Sequence, residues 1–179
     1  MWSSPGRDGW KALTLGEIAK GSDGLVDGPF GSDLKASEYV ECGVPVIRGS
    51  NLSLGTDRFD DHGFVYVSQK TADRLSRSTC RPGDVIFTKK GTLGQTAIIP
   101  QSPDYDLCLV SSNQMKLTVD LDVADPYYVY YYVSSPRSRR KIRQDAESTG
   151  VPKTNLEYLR GFPIRIPPLP EQRAIAHIL

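Results

Sequence analysis

Glycine and proline interrupt this chain so often that its first two-thirds can hold neither a long helix nor a long strand. Sixteen glycines and thirteen prolines are spread over 179 residues. Each glycine frees the backbone, and each proline removes a ladder donor. Between these breaks lie short β-prone runs. GVPVIRGSN predicts a strand over Val44, Val46 and Ile47 and a turn at Gly49–Asn51. GFVYVS predicts another, and CRPGDVIFTKK a third, entered by a Pro82-Gly83 turn, with QTAIIP returning from it. LCLVSSNQMKLTV reads as strand, polar turn, strand. KTADRLSRS is compatible with a helix, and Thr14 and Glu17 have capping-box spacing, which predicts a helical turn or two over TLGEIAK.

The pattern changes at Asp125-Pro126, where an N-cap residue precedes a proline suited to the first helical position. DPYYVYYYVSS is therefore read as a helix, with Tyr128, Tyr131 and Tyr132 on one buried side. A strand remains the alternative, because tyrosine and valine favour extended backbone. Ser135-Pro136 opens a second helix, PRSRRKIRQDAES, with Ile142 and Ala146 as its apolar stripe and Gly150 as its stop. GFPIRIPPLP is extended, and a last helix starts at Pro170. There Ala174, Ile175, Ile178 and Leu179 have the spacing of a helix-packing seam. So short a helix is marginal alone in water, so the stripe is expected to continue and to meet a partner, as in a piece of a longer protein. The fold class that follows is α+β, with many short strands first and helices in the C-terminal third.

Composition narrows function mainly by exclusion. No apolar run reaches the length of a membrane span, and MWSSPGRDGW lacks the apolar core of a secretory signal. Cys42, Cys80 and Cys108 are odd in number and far apart, as in a reduced, cytoplasmic protein without structural zinc. His62 in FDDHGF stands beside Asp60 and Asp61, which reads first as an Asx/Gly turn and only secondarily as a metal site. No GxSxG, HExxH, dinucleotide loop or paired-cysteine motif occurs, so no catalytic residue and no bound cofactor are assigned. The net charge of +1 disfavours indiscriminate nucleic-acid binding, but it is uneven. Residues 1–70 carry seven basic and ten acidic side chains, and residues 71–179 carry fifteen and eleven.

GDVIFTKKGTLGQTAIIP superficially resembles a phosphate cradle. A Walker loop needs its lysine after the last glycine and a helix next; here both lysines precede Gly91 and β-prone residues follow. Two readings stand: a hairpin turn, and a loop in which Lys89, Lys90 and Thr92 lie against a phosphate backbone. Arg137, Arg139, Arg140, Lys141 and Arg143 form the densest basic cluster, and Arg139 and Arg143 share one helical side. They can neutralise phosphates, or form a solvated or protein-binding face. Lys153 in STGVPKTN is a further phosphate candidate. Gln95, Asn113 and Asn155 can present the paired donor and acceptor that adenine requires.

In order along the chain, GWKALTLGEIAKG, DGPFGSDL, GVPVIRGSNL, RPGDVIFTKKGTLG, DPYYVYYYVSS, STGVPKTNLEYL and IRIPPLPEQRAIAHIL resemble a target-recognition domain of a type I restriction–modification specificity subunit. The resemblance covers nearly the whole chain, and PPLPEQ, at the passage into a spacer helix, is its most telling segment. It implies a β-rich, partly β-helix-like recognition domain over residues 1–168 and the truncated start of the spacer helix over 169–179. It further implies a non-catalytic module that reads one half of a bipartite double-stranded DNA target. Methyltransferase subunits using S-adenosylmethionine and motor-nuclease subunits using ATP and magnesium would be its partners, with self-association through the last helix also possible in principle. Two rivals remain. One is a scaffold fragment that docks methyltransferase subunits without binding DNA. The other is an enzyme, against which Asp125-Pro126-Tyr127-Tyr128 lacks the second proline of a methyltransferase signature.

Overall fold

The glycine- and proline-bounded runs become strands of two to four residues, arranged as three small sheets. The computed structural model describes residues 9–52, 58–147 and 154–179. Its elements are β1 (Lys11–Thr14), β2 (Leu25–Asp27), β3 (Tyr39–Val40), β4 (Val44–Ile47), β5 (Val65–Val67), α1 (Gln69–Arg74), β6 (Thr79–Cys80), β7 (Val85–Thr88), β8 (Thr96–Ile98), β9 (Cys108–Val110), β10 (Gln114–Leu117), α2 (Pro126–Ser134), α3 (Pro136–Glu147), α4 (Leu156–Arg160), β11 (Pro163–Ile166) and α5 (Leu169–Ile178). Short 3-10 turns at Ala36–Glu38, Gly49–Asn51 and Ser76–Ser78 link some of them.

β1 pairs antiparallel with β11, from opposite ends of the sequence. A four-stranded antiparallel sheet has the order β2-β10-β7-β8, and a five-stranded sheet the order β3-β5-β4-β9-β6, with β4 and β9 parallel. Every residue of β7 is buried, because the four-stranded sheet is covered on both faces. Val85 and Phe87 point into a core shared with α2 and β11, whereas Ile86 points into a second core with Ile47, Cys80, Cys108 and Val110 of the five-stranded sheet. That is the two-residue alternation of a strand with an apolar layer on each side. The far face of the five-stranded sheet buries Val44, Val46, Val67 and Leu109 with Ala72 of α1.

Helix α2 starts where the sequence indicates, with the Asp125 carboxylate accepting the Tyr128 N–H at 3.0 Å. Its most buried residues are Tyr128, Val129, Tyr130 and Val133, so the inner face is rotated from the expected one, and Tyr131 and Tyr132 are only half-buried. The valines complete the stripe that the tyrosines alone obscured. The Tyr128 hydroxyl donates to the Arg165 carbonyl at 2.7 Å and ties α2 to β11. In α3, Ile142 and Ala146 are buried as expected, and the proposed stop at Gly150 lies outside the described residues.

Two local expectations need correction. The Thr14–Glu17 capping box does form, with N–H to side-chain oxygen distances of 2.7 and 3.3 Å, but it closes a turn after β1 and starts no helix. The N–H groups of Leu15 and Gly16 are taken by the carbonyls of Phe162 and Arg160, both at 3.0 Å. Those two donors would have no partner inside a helix either; the Ile18 N–H still reaches the Thr14 carbonyl at 3.3 Å, and the turn ends where the Lys20 N–H goes to the Thr118 carbonyl at 2.9 Å. LEYLR, unassigned from sequence, is helix α4.

The glutamine of PPLPEQ is a buried clamp. Gln172 accepts the Asp125 N–H at 2.9 Å and donates to the carbonyls of Pro167 and Val123 at 2.9 and 3.3 Å. It joins the start of α2 to the turn that launches α5. On α5, Ile175 and Ala176 touch the core, while Ala174, Ile178 and Leu179 are exposed, the last two at 82% and 63%. Among the described residues no helix is long and apolar enough to cross a membrane. Gln172→Leu keeps the volume but strands three buried backbone groups, each costly to leave unpaired. A loss on the order of 3 kcal/mol is expected, read as a lower urea midpoint with an unchanged slope.

Candidate nucleic-acid interface

Register decides which loops meet. Met115 pairs with Asp27, Gln114 with Thr88 and Phe87 with Thr96, so one end of the four-stranded sheet collects the end of β2, the end of β7 and the starts of β8 and β10. The loops leaving that end bond to one another. The N–H groups of Lys89 and Lys90 donate to the Asn113 carbonyl at 2.7 and 3.3 Å, and Gly28 N–H donates to the Gln114 carbonyl at 2.9 Å. Thr154 then closes over the top: its N–H reaches the Lys89 carbonyl at 3.1 Å and its hydroxyl the Thr88 carbonyl at 3.0 Å. A Cβ on Gly28 would lie 1.9 Å from the Ser111 carbonyl oxygen, so only glycine allows this approach.

Lys89, Lys90, Thr92, Gln95, Asn113 and Asn155 come from three separate stretches of sequence and are gathered at this sheet end, but their side chains differ in freedom. The Lys89 ammonium is half-buried, 2.9 Å from a carboxylate oxygen of Asp27, at ion-pair distance without hydrogen-bond alignment. Lys90 and Thr92 are exposed, and Lys90 has no side-chain partner among the described residues. Asn113 is exposed as well. The Gln95 amide donates to the Leu52 carbonyl at 3.1 Å, anchoring the β7–β8 turn to the five-stranded sheet. The Asn155 side-chain oxygen caps α4 by accepting the Tyr158 N–H at 2.8 Å. Lys153 lies outside the described residues.

The basic helix α3 abuts the same turn. Gly94 has φ +85°, and a Cβ there would lie 3.4 Å from the Arg139 carbonyl oxygen. Arg139 is half-buried, and desolvation pushes its guanidinium below the usual arginine range, against the opposing influence of Tyr130. Arg143, one turn on, is exposed and has no partner among the described residues. Lys141 instead pairs with Asp145 at 2.8 Å, and Asp145 accepts the Tyr158 hydroxyl at 2.8 Å, which anchors α3 to α4. Burial and the Asp145 charge push the Tyr158 hydroxyl upward. Asp60, Asp61 and His62 form an exposed turn, in which the Asp60 carboxylate accepts the His62 N–H at 3.0 Å.

Two side chains with evident structural work were not singled out from sequence. Gln172 is one. The other is Arg58, whose guanidinium lies 5.8 and 5.2 Å from the ring centres of Tyr127 and Tyr131. No periodicity connects residue 58 to a helix almost seventy positions later.

Residues 7–179 match the family described as type I restriction modification DNA specificity domain. A putative type I restriction enzyme MjaX specificity subunit of Methanocaldococcus jannaschii is 24% identical over 144 residues, covering 76% of this chain and 32% of that protein. The HsdS subunit from Thermoanaerobacter tengcongensis has the same fold at a TM-score of 0.65 and 20% identity, covering 98% of this chain and 37% of that one. The S subunit of a type I restriction–modification system from M. genitalium gives a TM-score of 0.65 at 16% identity, over 96% of this chain and 38% of that one. The chain therefore spans between 32% and 38% of the length of these relatives.

Asn155 offers a test that separates support from recognition. Asn155→Ala removes the cap and is expected to cost about 1 kcal/mol, whereas Asn155→Asp keeps the capping oxygen and the stability. Thermal melts of both variants check this; equal destabilisation would contradict the capping role. Lys89→Ala, which leaves Asp27 unpaired, is likewise expected to lower the melting temperature, and Lys90→Ala to leave it unchanged.

Proposed function

This chain belongs to the type I restriction modification DNA specificity domain family, and from that membership we propose that it reads one half of a bipartite double-stranded DNA target. The domain is not an enzyme. Chemistry is assigned to partners: methyltransferase subunits carrying S-adenosylmethionine, and restriction subunits using ATP and magnesium. Residues 1–168 are proposed as the recognition domain and 169–179 as the first turns of a spacer helix.

The observation that carries this reading is the meeting of exposed cationic, hydroxyl and amide side chains at one sheet end, beside a basic helix. Lys90, Thr92 and Arg143 are free to take phosphates, with the half-buried Arg139 raising the positive potential behind them, while the Asp27 carboxylate largely neutralises Lys89. Lys153 is retained as a phosphate candidate from its sequence setting alone. Asn113 is the base-reading candidate with the fewest competing duties. Gln95 and Asn155 already use one amide atom each on the backbone, so each offers a base one free atom instead of two. A second reading, docking of methyltransferase subunits without DNA, draws on the exposed Ala174, Ile178 and Leu179 of α5. The two are compatible, since they use different surfaces.

Competition binding with the specificity subunit that carries this domain, assembled with its methyltransferase subunits, separates the roles. Lys90→Ala and Arg143→Ala are expected to weaken all duplexes alike and to reduce the salt slope by about 0.9 per lost phosphate contact. Asn113→Ala is expected to change the preference at one base pair by about 1–3 kcal/mol. A uniform loss from Asn113→Ala removes it as a base reader, and a wild-type assembly without sequence preference overturns the proposed function.

A further inference from the structure

Arg58 is exposed, yet its position is tightly specified. Its carbonyl accepts the Ile98 N–H at 3.2 Å, which fixes the backbone against β8. Its guanidinium lies within 6 Å of two ring centres, those of Tyr127 and Tyr131. These tyrosines stand four residues apart on α2, hence on one helix face. Among the described residues no carboxylate pairs with Arg58. Ring faces stabilise an exposed arginine modestly while leaving its N–H edges unused, whereas an arginine in a structural ion pair spends those edges on an acid. Here the partner is an aromatic platform. A ring face holds the cation through its quadrupole and leaves the N–H edges of the fork free.

The backbone of Arg58 meets β8 at Ile98, the end away from Thr96, and α2 leads from the rings under its fork toward α3. The Tyr130 and Tyr131 rings pack with centres 5.4 Å apart. The charges of Arg58 and Arg139 both act on the Tyr130 hydroxyl, which burial pushes upward. The two arginines thus flank one tyrosine pair, and the Arg139 backbone lies against Gly94 in the turn that carries Lys90 and Thr92.

We propose that Arg58, presented by Tyr127 and Tyr131, is a DNA contact that takes two acceptor atoms side by side. Those acceptors are either O6 and N7 of a guanine or two phosphate oxygens, the groups that a planar guanidinium meets with two parallel hydrogen bonds. The inference rests on the DNA-recognition reading and adds a residue and a recognition chemistry to it. Tyr127 and Tyr131 act as positioning residues, reducing the rotamer freedom that Arg58 loses on binding.

The test uses the specificity subunit with its methyltransferase partners and duplexes carrying the mapped target or single-base changes of it. Arg58→Lys keeps the charge and removes the fork; Arg58→Ala removes both. If the acceptors belong to guanine, Arg58→Lys lowers the preference for that base pair by about tenfold or more and leaves the salt slope unchanged. If they belong to phosphate, Arg58→Lys weakens every duplex by the same factor, and Arg58→Ala also reduces the slope by about 0.9. Tyr131→Leu, in a variant whose melting confirms folding, is expected to reproduce the Arg58→Lys loss with the charge intact. Unchanged affinity, preference and slope in both Arg58 variants, with a wild type that discriminates, overturn the proposal. A wild type that does not discriminate overturns the DNA-recognition reading instead.

Discussion

Burial of the four-stranded sheet on both faces governs most of what this domain can present to a partner. With Val85 and Phe87 in one core and Ile86 in the other, the strands have no polar face to offer. Polar chemistry is confined to strand ends, where the chain must turn and the backbone is already paired. The turns there are braced by bonds between loops, such as those of Lys89 and Lys90 to the Asn113 carbonyl. A surface built this way keeps its backbone while individual side chains change.

Much of the architecture could be read from the sequence because local signals and tertiary packing agree at those places. Val44, Val46 and Ile47, the Pro82-Gly83 turn, and the Asp125-Pro126 and Ser135-Pro136 helix starts all behave as their residue types dictate. Several failures share a cause: a distant partner outcompetes the local preference. The Thr14–Glu17 box stops at a turn because Ala19 bridges to Val119 and the Lys20 N–H goes to the Thr118 carbonyl, which ends any helical ladder. LCLVSSNQMKLTV reads as two strands about a turn, but nothing in it indicates that β9 and β10 join different sheets. Within the candidate interface, the sequence offered polar and basic residue types, whereas the standing of each side chain depended on neighbours such as Asp27 for Lys89 and Leu52 for Gln95. Arg58 was invisible because its setting is made by residues 127 and 131.

Charge at the interface is layered. A lysine neutralised by Asp27 contributes little field beyond the surface, and a half-buried arginine contributes mainly to the potential felt close by. Exposed cations such as Lys90 and Arg143 are largely screened beyond about 8–10 Å at ordinary ionic strength. A domain with a net charge of +1 exerts little long-range pull on a polyanion, so the proposed DNA contact would rest on short-range fit. That balance favours discrimination over indiscriminate retention, since nonspecific affinity comes chiefly from the count of neutralised phosphates.

The antiparallel pairing of β1 with β11 has a consequence of another kind. Lys11 stands opposite Ile166, so the polypeptide enters and leaves the body of the domain through neighbouring strands of a two-stranded ribbon. Everything between them, including every loop at the recognition end, hangs from that single doorway. A module with adjacent entry and exit can be exchanged for another of different surface, because the gap it must bridge does not change. The ribbon thus behaves as a socket for whatever chain lies between its two strands.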